Sequence, residues 1–251
     1  MDKKIIFIST LLLFIPIFSH SAASFDGIDD KITIAATNNV YLVLRQTQPF
    51  SVCGWVKPRD FTFRKNVIIT NWGYTANKLG FAVQTDENRF NTFLVKQTVA
   101  NENIYSPSIV QKLNVWYHFA FTFDTNQGIC YANGIPGVPE VIDFGAMAGP
   151  EAIIWELGNL SGGSPQWWGD CVLADIRVYN VNLSQARIQW IMKNPGVQDL
   201  GLVIHWKLDK NHKDYSDFKW GCSPVGVAFP DTSIKAVDNP PTYFEQDNQK
   251  D

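Results

Sequence analysis

The chain has 251 residues, of which 45% are hydrophobic, 14% aromatic and only 18% charged, with a formal charge of −3. A slightly acidic chain without a Lys/Arg cluster lacks the electrostatic footprint of a nucleic-acid binder. Its wealth of aromatic and β-branched residues favours strands with large apolar faces, and beyond the first apolar run no stretch is long enough to span a bilayer.

The first element is a leader. Met1-Asp2-Lys3-Lys4 is followed by an almost wholly apolar run from Ile5 to Phe18, then by the small residues Ser19, Ser21, Ala22 and Ala23. A basic start, a short apolar middle and a small-residue end form a secretory signal pattern. The run is short for a span of ~20 residues, and Pro16 interrupts it. The expectation is removal of residues 1–23, a mature chain from Ser24, and a secreted, periplasmic or cell-surface location.

Strands follow. Asp26-Gly27-Ile28-Asp29-Asp30 is turn chemistry ahead of an alternating Ile32/Ile34 strand. Phe50 to Pro58 alternates and stops at its proline. Asn66 to Trp72 and Lys78 to Gln84 read as two strands around a Gly-Tyr turn, and Arg89 to Val95 as another. Val115 to Asp124 pairs with Gly128 to Gly134 as a hairpin partner whose far end is the turn Asn133-Gly134, a strong short-range hairpin signal. Ala152 to Gly158 gives the next strand. From Val172, strict alternation predicts Val172, Ala174, Ile176 and Val178 on one face, and Leu173, Asp175, Arg177 and Tyr179 on the other. A short helix is predicted over Gln185–Met192, capped by Ser184 or Asn182 and ended by Pro195-Gly196. Residues 197–251 form a C-terminal extension. Its strand-like run Asp199–Asp209 either adds an edge strand or belongs to a truncated second repeat, and the polar tail from Asp231 fades into disorder.

Four pieces, in order, resemble the laminin G-like domains of the concanavalin A-like jelly-roll superfamily: Phe25-Asp26-Gly27-Ile28-Asp29-Asp30, Phe50 to Pro58, Trp116 to Asp124 with Asn133-Gly134, and the last strand through Tyr179-Asn180 into Leu183-Ser184. The resemblance covers roughly Ser24 to Met192 and implies an all-β, antiparallel two-sheet sandwich over residues 24–196 with a short helix near its end. It also implies a structural calcium between the first turn and the last strand. Asp26 matches the first-turn carboxylate, but the last-strand ligand position falls on Ala174, so calcium is expected to contribute little stability.

The fold alone does not fix function. Glycosidases of this fold need two carboxylates on one strand face, at separations of two or four residues. Glu140 with Asp143, Asp86 with Glu87, and Glu151 with Glu156 do not provide such a pair. No nucleophile elbow, zinc-protease helix or dinucleotide fingerprint occurs, and His118 and His205, each beside a Trp within a strand, read as structural. The reading is a non-enzymatic lectin-like module that binds a glycan or another extracellular surface. The alternatives are an adhesive protein–protein module and, behind it, a glycoside hydrolase. Sugar binding needs aromatic faces with polar partners. Trp167 and Trp168, after the Ser161–Gln166 loop, are the first platform, with one of the two rings expected to be buried; Trp72 and Tyr74 are the second. The four cysteines Cys53, Cys130, Cys171 and Cys222 of an exported chain predict at least one disulfide, with all three connectivities open.

Overall fold

The computed structural model describes residues 22–34, 48–62, 66–71, 80–95, 102–109, 111–142, 155–160 and 167–229. Two antiparallel sheets dominate them. The helix-side sheet runs β1 (Ala23–Asp26), β15 (Asp170–Tyr179), β3 (Phe50–Pro58), β8 (Tyr117–Phe123), β9 (Gln127–Ala132), β10 (Ile135–Pro136), with β11 (Glu140–Val141) also on β9 and β16 (Leu202–Trp206) on β15. The far sheet runs β17 (Cys222–Val225), β2 (Lys31–Ile34), β12 (Trp155–Leu157), β4 (Val67–Asn71), β5 (Gly80–Thr85), β6 (Phe90–Val95), β7 (Glu102–Tyr105). A separate two-stranded hairpin joins β13 (Asn159–Leu160) to β14 (Trp167–Trp168). This is a β-sandwich, and no helix among the described residues is long and apolar enough to cross a membrane.

Alternation builds the core between the sheets. Ile32 and Ile34 of β2, Trp155 and Leu157 of β12, and Phe119, Phe121 and Phe123 of β8 all point into it and are buried. Each fully buried side chain of this size contributes roughly 1.5–3 kcal/mol. A second, smaller core lies outside the helix-side sheet. There α1 (Gln185–Lys193) lays Ile188, Ile191 and Met192 over Cys53, Trp55, Tyr131 and Tyr179. The helix begins where expected, because Ser184 is its N-cap and its hydroxyl accepts from the Arg187 amide at 3.3 Å.

The alternation predicted for β15 holds only up to its middle. Val172 and Ala174 face α1, whereas Ile176 and Val178 face the intersheet core, as does Leu173. The cause is a β-bulge: Ala174 pairs with Trp55 and Arg177 with Cys53, so two residues of β15 stand against Gly54 alone. Asp175 sits in the bulge with φ 51°, a conformation Asp tolerates better than most residues, and its amide donates to the Lys207 carbonyl at 3.1 Å. Gly54 suits this close approach, since a Cβ there would lie 2.4 Å from Ile176 Cδ1 and 3.1 Å from Ile176 Cα.

The C-terminal extension joins both sheets. β1 pairs with the first half of β15 and β16 with the second, while β17 pairs with β2. The Asp199–Asp209 run therefore supplies an edge strand to this sandwich, and its Trp206 is fully buried in the intersheet core. Nothing in the sequence pattern pointed to β7 or β17.

The expected disulfide is absent: Cys53, Cys130, Cys171 and Cys222 are free thiols. Cys53 faces α1, while Cys130 and Cys171 face the intersheet core. The latter two lie on β9 and β15, with β8 and β3 between them. At ~4.8 Å per strand that is about 14 Å, beyond disulfide reach. Cys222 instead accepts from Trp206 Nε1 at 3.3 Å. Burial pushes the Cys53, Cys130 and Cys171 thiols up to about 12, so they behave as small apolar side chains.

Candidate ligand-binding site

The outer face of the far sheet carries the arrangement best suited to a ligand. Because Ile32, Ile34, Trp155 and Leu157 fill the core, the residues between them point outward. Glu156 lies opposite Thr33 on one side and Thr70 on the other. It is 2% exposed, and its Oε1 meets Lys31 Nζ at 3.3 Å and the Thr33 hydroxyl at 3.5 Å. Its Oε2 accepts from Asn159 Nδ2 at 3.1 Å, and the Asn159 carbonyl accepts from Thr70 Oγ1 at 2.8 Å. A buried carboxylate is thus satisfied by an ammonium, a hydroxyl and an amide.

The β13–β14 hairpin carries the tryptophans beside this cluster. Cross-strand partners share a face. Leu160 pairs with Trp167, and both pack on Val67 and Ala82. Asn159 pairs with Trp168 on the opposite face of the hairpin, the face that also bears the Glu156 contact. Gly169 then lets the chain pass close to β4, since a Cβ there would lie 2.0 Å from the Val67 carbonyl oxygen. Both rings are half-buried, not one buried and one open as expected. Trp167 packs in its small apolar cluster, and Trp168 belongs to no hydrophobic cluster among the described residues. The Ser161–Gln166 loop, Trp72 and Tyr74 lie outside the described residues.

The carboxylates considered for hydrolysis are dispersed. Glu140 is exposed on the short β11, and Asp86 closes the β5–β6 turn, its Oδ1 accepting from the Asn88 and Arg89 amides. Asp143 and Glu151 lie outside the described residues.

The two histidines are scaffold. His205 Nε2 donates to Asp175 Oδ1 at 2.7 Å, and Arg177 grips the same carboxylate through Nε at 3.1 Å and Nη2 at 2.8 Å. The Gly196 amide adds a fourth donor at 3.3 Å. Burial alone would raise the Asp175 carboxyl, but the Arg177 guanidinium and the His205 hydrogen bond hold it below the usual carboxylate range. His118 stands edge-on to Trp55 at 5.2 Å, and burial pulls its pKa down to about 3, leaving it a neutral ring.

At the first turn, Asp26, Asp29 and Asp30 place carboxylate oxygens within 4.8 Å of one another. These oxygens also serve the turn itself. Asp26 Oδ1 accepts from the Ile28 amide at 2.8 Å and Asp30 Oδ2 from the Asp26 amide at 2.7 Å. Burial, then the charges of Asp26 and Asp29, raise the Asp30 carboxyl. The last-strand position implied for calcium, Ala174, is buried against α1. The last-strand acid that does stand opposite Asp26 is Asp170, and it is ion-paired with Arg59 at 2.9 Å. The carboxylate that faces the first turn from the last strand is therefore Asp170, four residues before the implied position, and it is engaged by Arg59.

The concanavalin A-like lectin/glucanases superfamily matches the sequence over residues 26–189. The chain belongs to this superfamily. Comparison with curated protein sequences returns no match. Among solved structures, it is similar to a heptameric SAP-like pentraxin from Limulus polyphemus, at 16% identity and TM-score 0.58, over 84% of this chain and 94% of that one. It is similar to a proposed carbohydrate-binding protein from Bacteroides ovatus at 15% identity and TM-score 0.58, over 86% of this chain and 61% of that one. The binding domain of botulinum neurotoxin DC, solved with rat synaptotagmin II, aligns at 13% identity and TM-score 0.52, over 70% of this chain and 43% of that one. At such identities these likenesses show a shared fold. Within the lectin/glucanase superfamily, the far-sheet face of this member presents Glu156 locked to Lys31 and Asn159, an arrangement for holding polar groups in place.

Proposed function

We propose that this chain is an exported, non-catalytic binding module whose ligand is a glycan held against Trp168. The observation that carries this reading is the position of that ring. It is half-buried, unclaimed by the described apolar clusters, and shares a hairpin face with Asn159 beside Glu156, Lys31 and Thr33. A sugar offers CH groups to an indole face and hydroxyls to a surface ammonium such as Lys31, which Glu156 holds from beneath. The superfamily and the similarity to a proposed carbohydrate-binding protein support the same reading, as does the leader pattern of the sequence.

A glycan array on the mature protein, followed by affinity and melting measurements on single variants, tests it. Trp168→Ala is expected to weaken binding about thirtyfold, roughly 2 kcal/mol, with little change in melting temperature. Trp167→Ala is expected to lower the melting temperature, because that ring packs on Val67, Ala82 and Leu160. Parental affinity in Trp168→Ala would sink the proposal.

A further inference from the structure

The corner where β1 meets β15 is crowded with acid. Asp26 stands in register with Asp170, and Asp29 and Asp30 lie against Asp26. The cation bonded into this corner is Arg59, just beyond the end of β3. Its Nε donates to Asp170 Oδ1 at 2.9 Å. Its Nη2 donates to the carbonyl oxygens of Phe25 on β1 and, at 3.3 Å, of Cys171 on β15. Its own amide donates to the Asp170 carbonyl at 3.0 Å. One guanidinium thus ties together the end of β3, the last turn of β1 and the start of β15, and its charge acts on Asp30 as well.

A calcium ion at such a junction would do two things: draw six to eight oxygens from separate segments onto one centre, and neutralise their charge. Here several of the oxygens that face the corner already have donors. Phe25 O, Cys171 O and Asp170 Oδ1 accept from Arg59, and Asp26 Oδ1 and Asp30 Oδ2 accept from turn amides. The turn after β17 closes the remaining side, where a Cβ at Gly226 would lie 1.9 Å from Asp30 Oδ1. We infer that Arg59 is the resident cation of this corner, cross-linking the first turn to the last strand in place of a metal ion, so that the sandwich closes there independently of calcium. The planar fork of donors suits the task, because it meets a carboxylate and two carbonyls at once, which a lysine ammonium at the end of a flexible stem cannot do.

The test compares melting of the chelator-treated full mature chain with and without calcium in millimolar excess, for the parent, Arg59→Gln and Arg59→Lys. The parent is expected to melt at one temperature in both conditions. Arg59→Gln should melt about 5 °C lower and gain a calcium-dependent rise, because its corner keeps the acids and carbonyls but loses their cation. Arg59→Lys should melt lower than the parent yet stay insensitive to calcium. A parental rise with calcium that Asp26→Asn abolishes would overturn the inference. So would an Arg59→Gln variant that melts like the parent, or one that melts early and ignores calcium. Should Arg59→Gln not fold, calorimetric titration of the parent with calcium decides: no binding heat supports Arg59 as the cation, and saturable one-site binding refutes it.

Discussion

The two outer faces of the sandwich carry similar chemistry and use it differently. On the helix-side sheet, Asp175, Arg177 and His205 form a carboxylate–cation–ring cluster with side chains 0–5% exposed, sealed by α1 and the chain that follows it. On the far sheet, Glu156 is equally deep, but its partner Lys31 is 28% exposed, and the adjacent Trp168 is half-open. The sealed cluster has every Asp175 bond supplied by the protein itself and no side chain that reaches the surface, so its polar groups hold the fold. The open cluster offers an indole face and an ammonium at the surface. The decisive difference is what covers the face, not which residue types stand on it.

The largest effect that would break this contrast is at the sealed face. Asp175→Asn keeps the shape and the tolerance for positive φ but leaves the buried Arg177 guanidinium without its counter-charge. It is expected to lower unfolding free energy by about 3–5 kcal/mol, read by urea denaturation. Adding Arg177→Met should recover part of that loss, because the pair is coupled; two strictly additive losses would show that the cluster is not a unit.

Acid should open the sealed face before it touches the other. Burial pulls the His118 imidazole down to about 3 in the folded chain, against its ordinary 6.5 in the unfolded one. Between those values the unfolded chain binds the extra proton, so stability is retained above about 6.5 and falls as pH drops towards 3. Burial lowers His205 in the same sense. The lowered Asp175 carboxyl adds a further loss once pH falls below its unfolded value of 3.8. The slope is at most roughly 1.4 kcal/mol per pH unit for each proton. Denaturation midpoints at pH 7 and pH 5 should differ, and His118→Phe, which keeps a ring against Trp55, should flatten the difference. An unchanged slope in that variant would exonerate His118.

A smaller effect sharpens the comparison at the lid. Ser184→Ala removes the N-cap of α1 and should cost about 1 kcal/mol while leaving glycan affinity at the far face untouched. Loss of binding in Ser184→Ala would couple two faces that the contrast keeps apart. Trp168→Ala completes the series, with the smallest expected change in melting temperature of these variants.

Much of this molecule is legible from one sequence. Period-two runs bounded by turn residues locate β3, β4, β5, β6, β8, β9, β12 and β16, because a strand packed on one face must alternate. The helix is legible because Ser184 announces its start and Pro195-Gly196 its end. The place of Trp167 and Trp168 at the entry to the last strand is legible, but that both rings are half-buried is not. The role of Glu156 is not, because its partner Lys31 comes from β2, 125 residues away, and Asn159 turns back onto it only where the chain leaves β12 for β13.

What the sequence by itself determined is therefore most of the longer strands, the helix and its cap, and the superfamily, all of which rest on local periodicity, turn chemistry and short motifs. What only the tertiary structure decided is which way the pieces face. The bulge at Asp175 reverses the parity of β15 because Gly54 on the neighbouring strand leaves room for one more residue. Cys53 is kept from Cys130 and Cys171 because it points into a different layer, and those two lie strands apart. Arg59 meets Phe25 and Asp170 because three strands converge at one corner. Each of these depends on a neighbour supplied by another part of the chain, and a pattern confined to one strand carries no record of its neighbours.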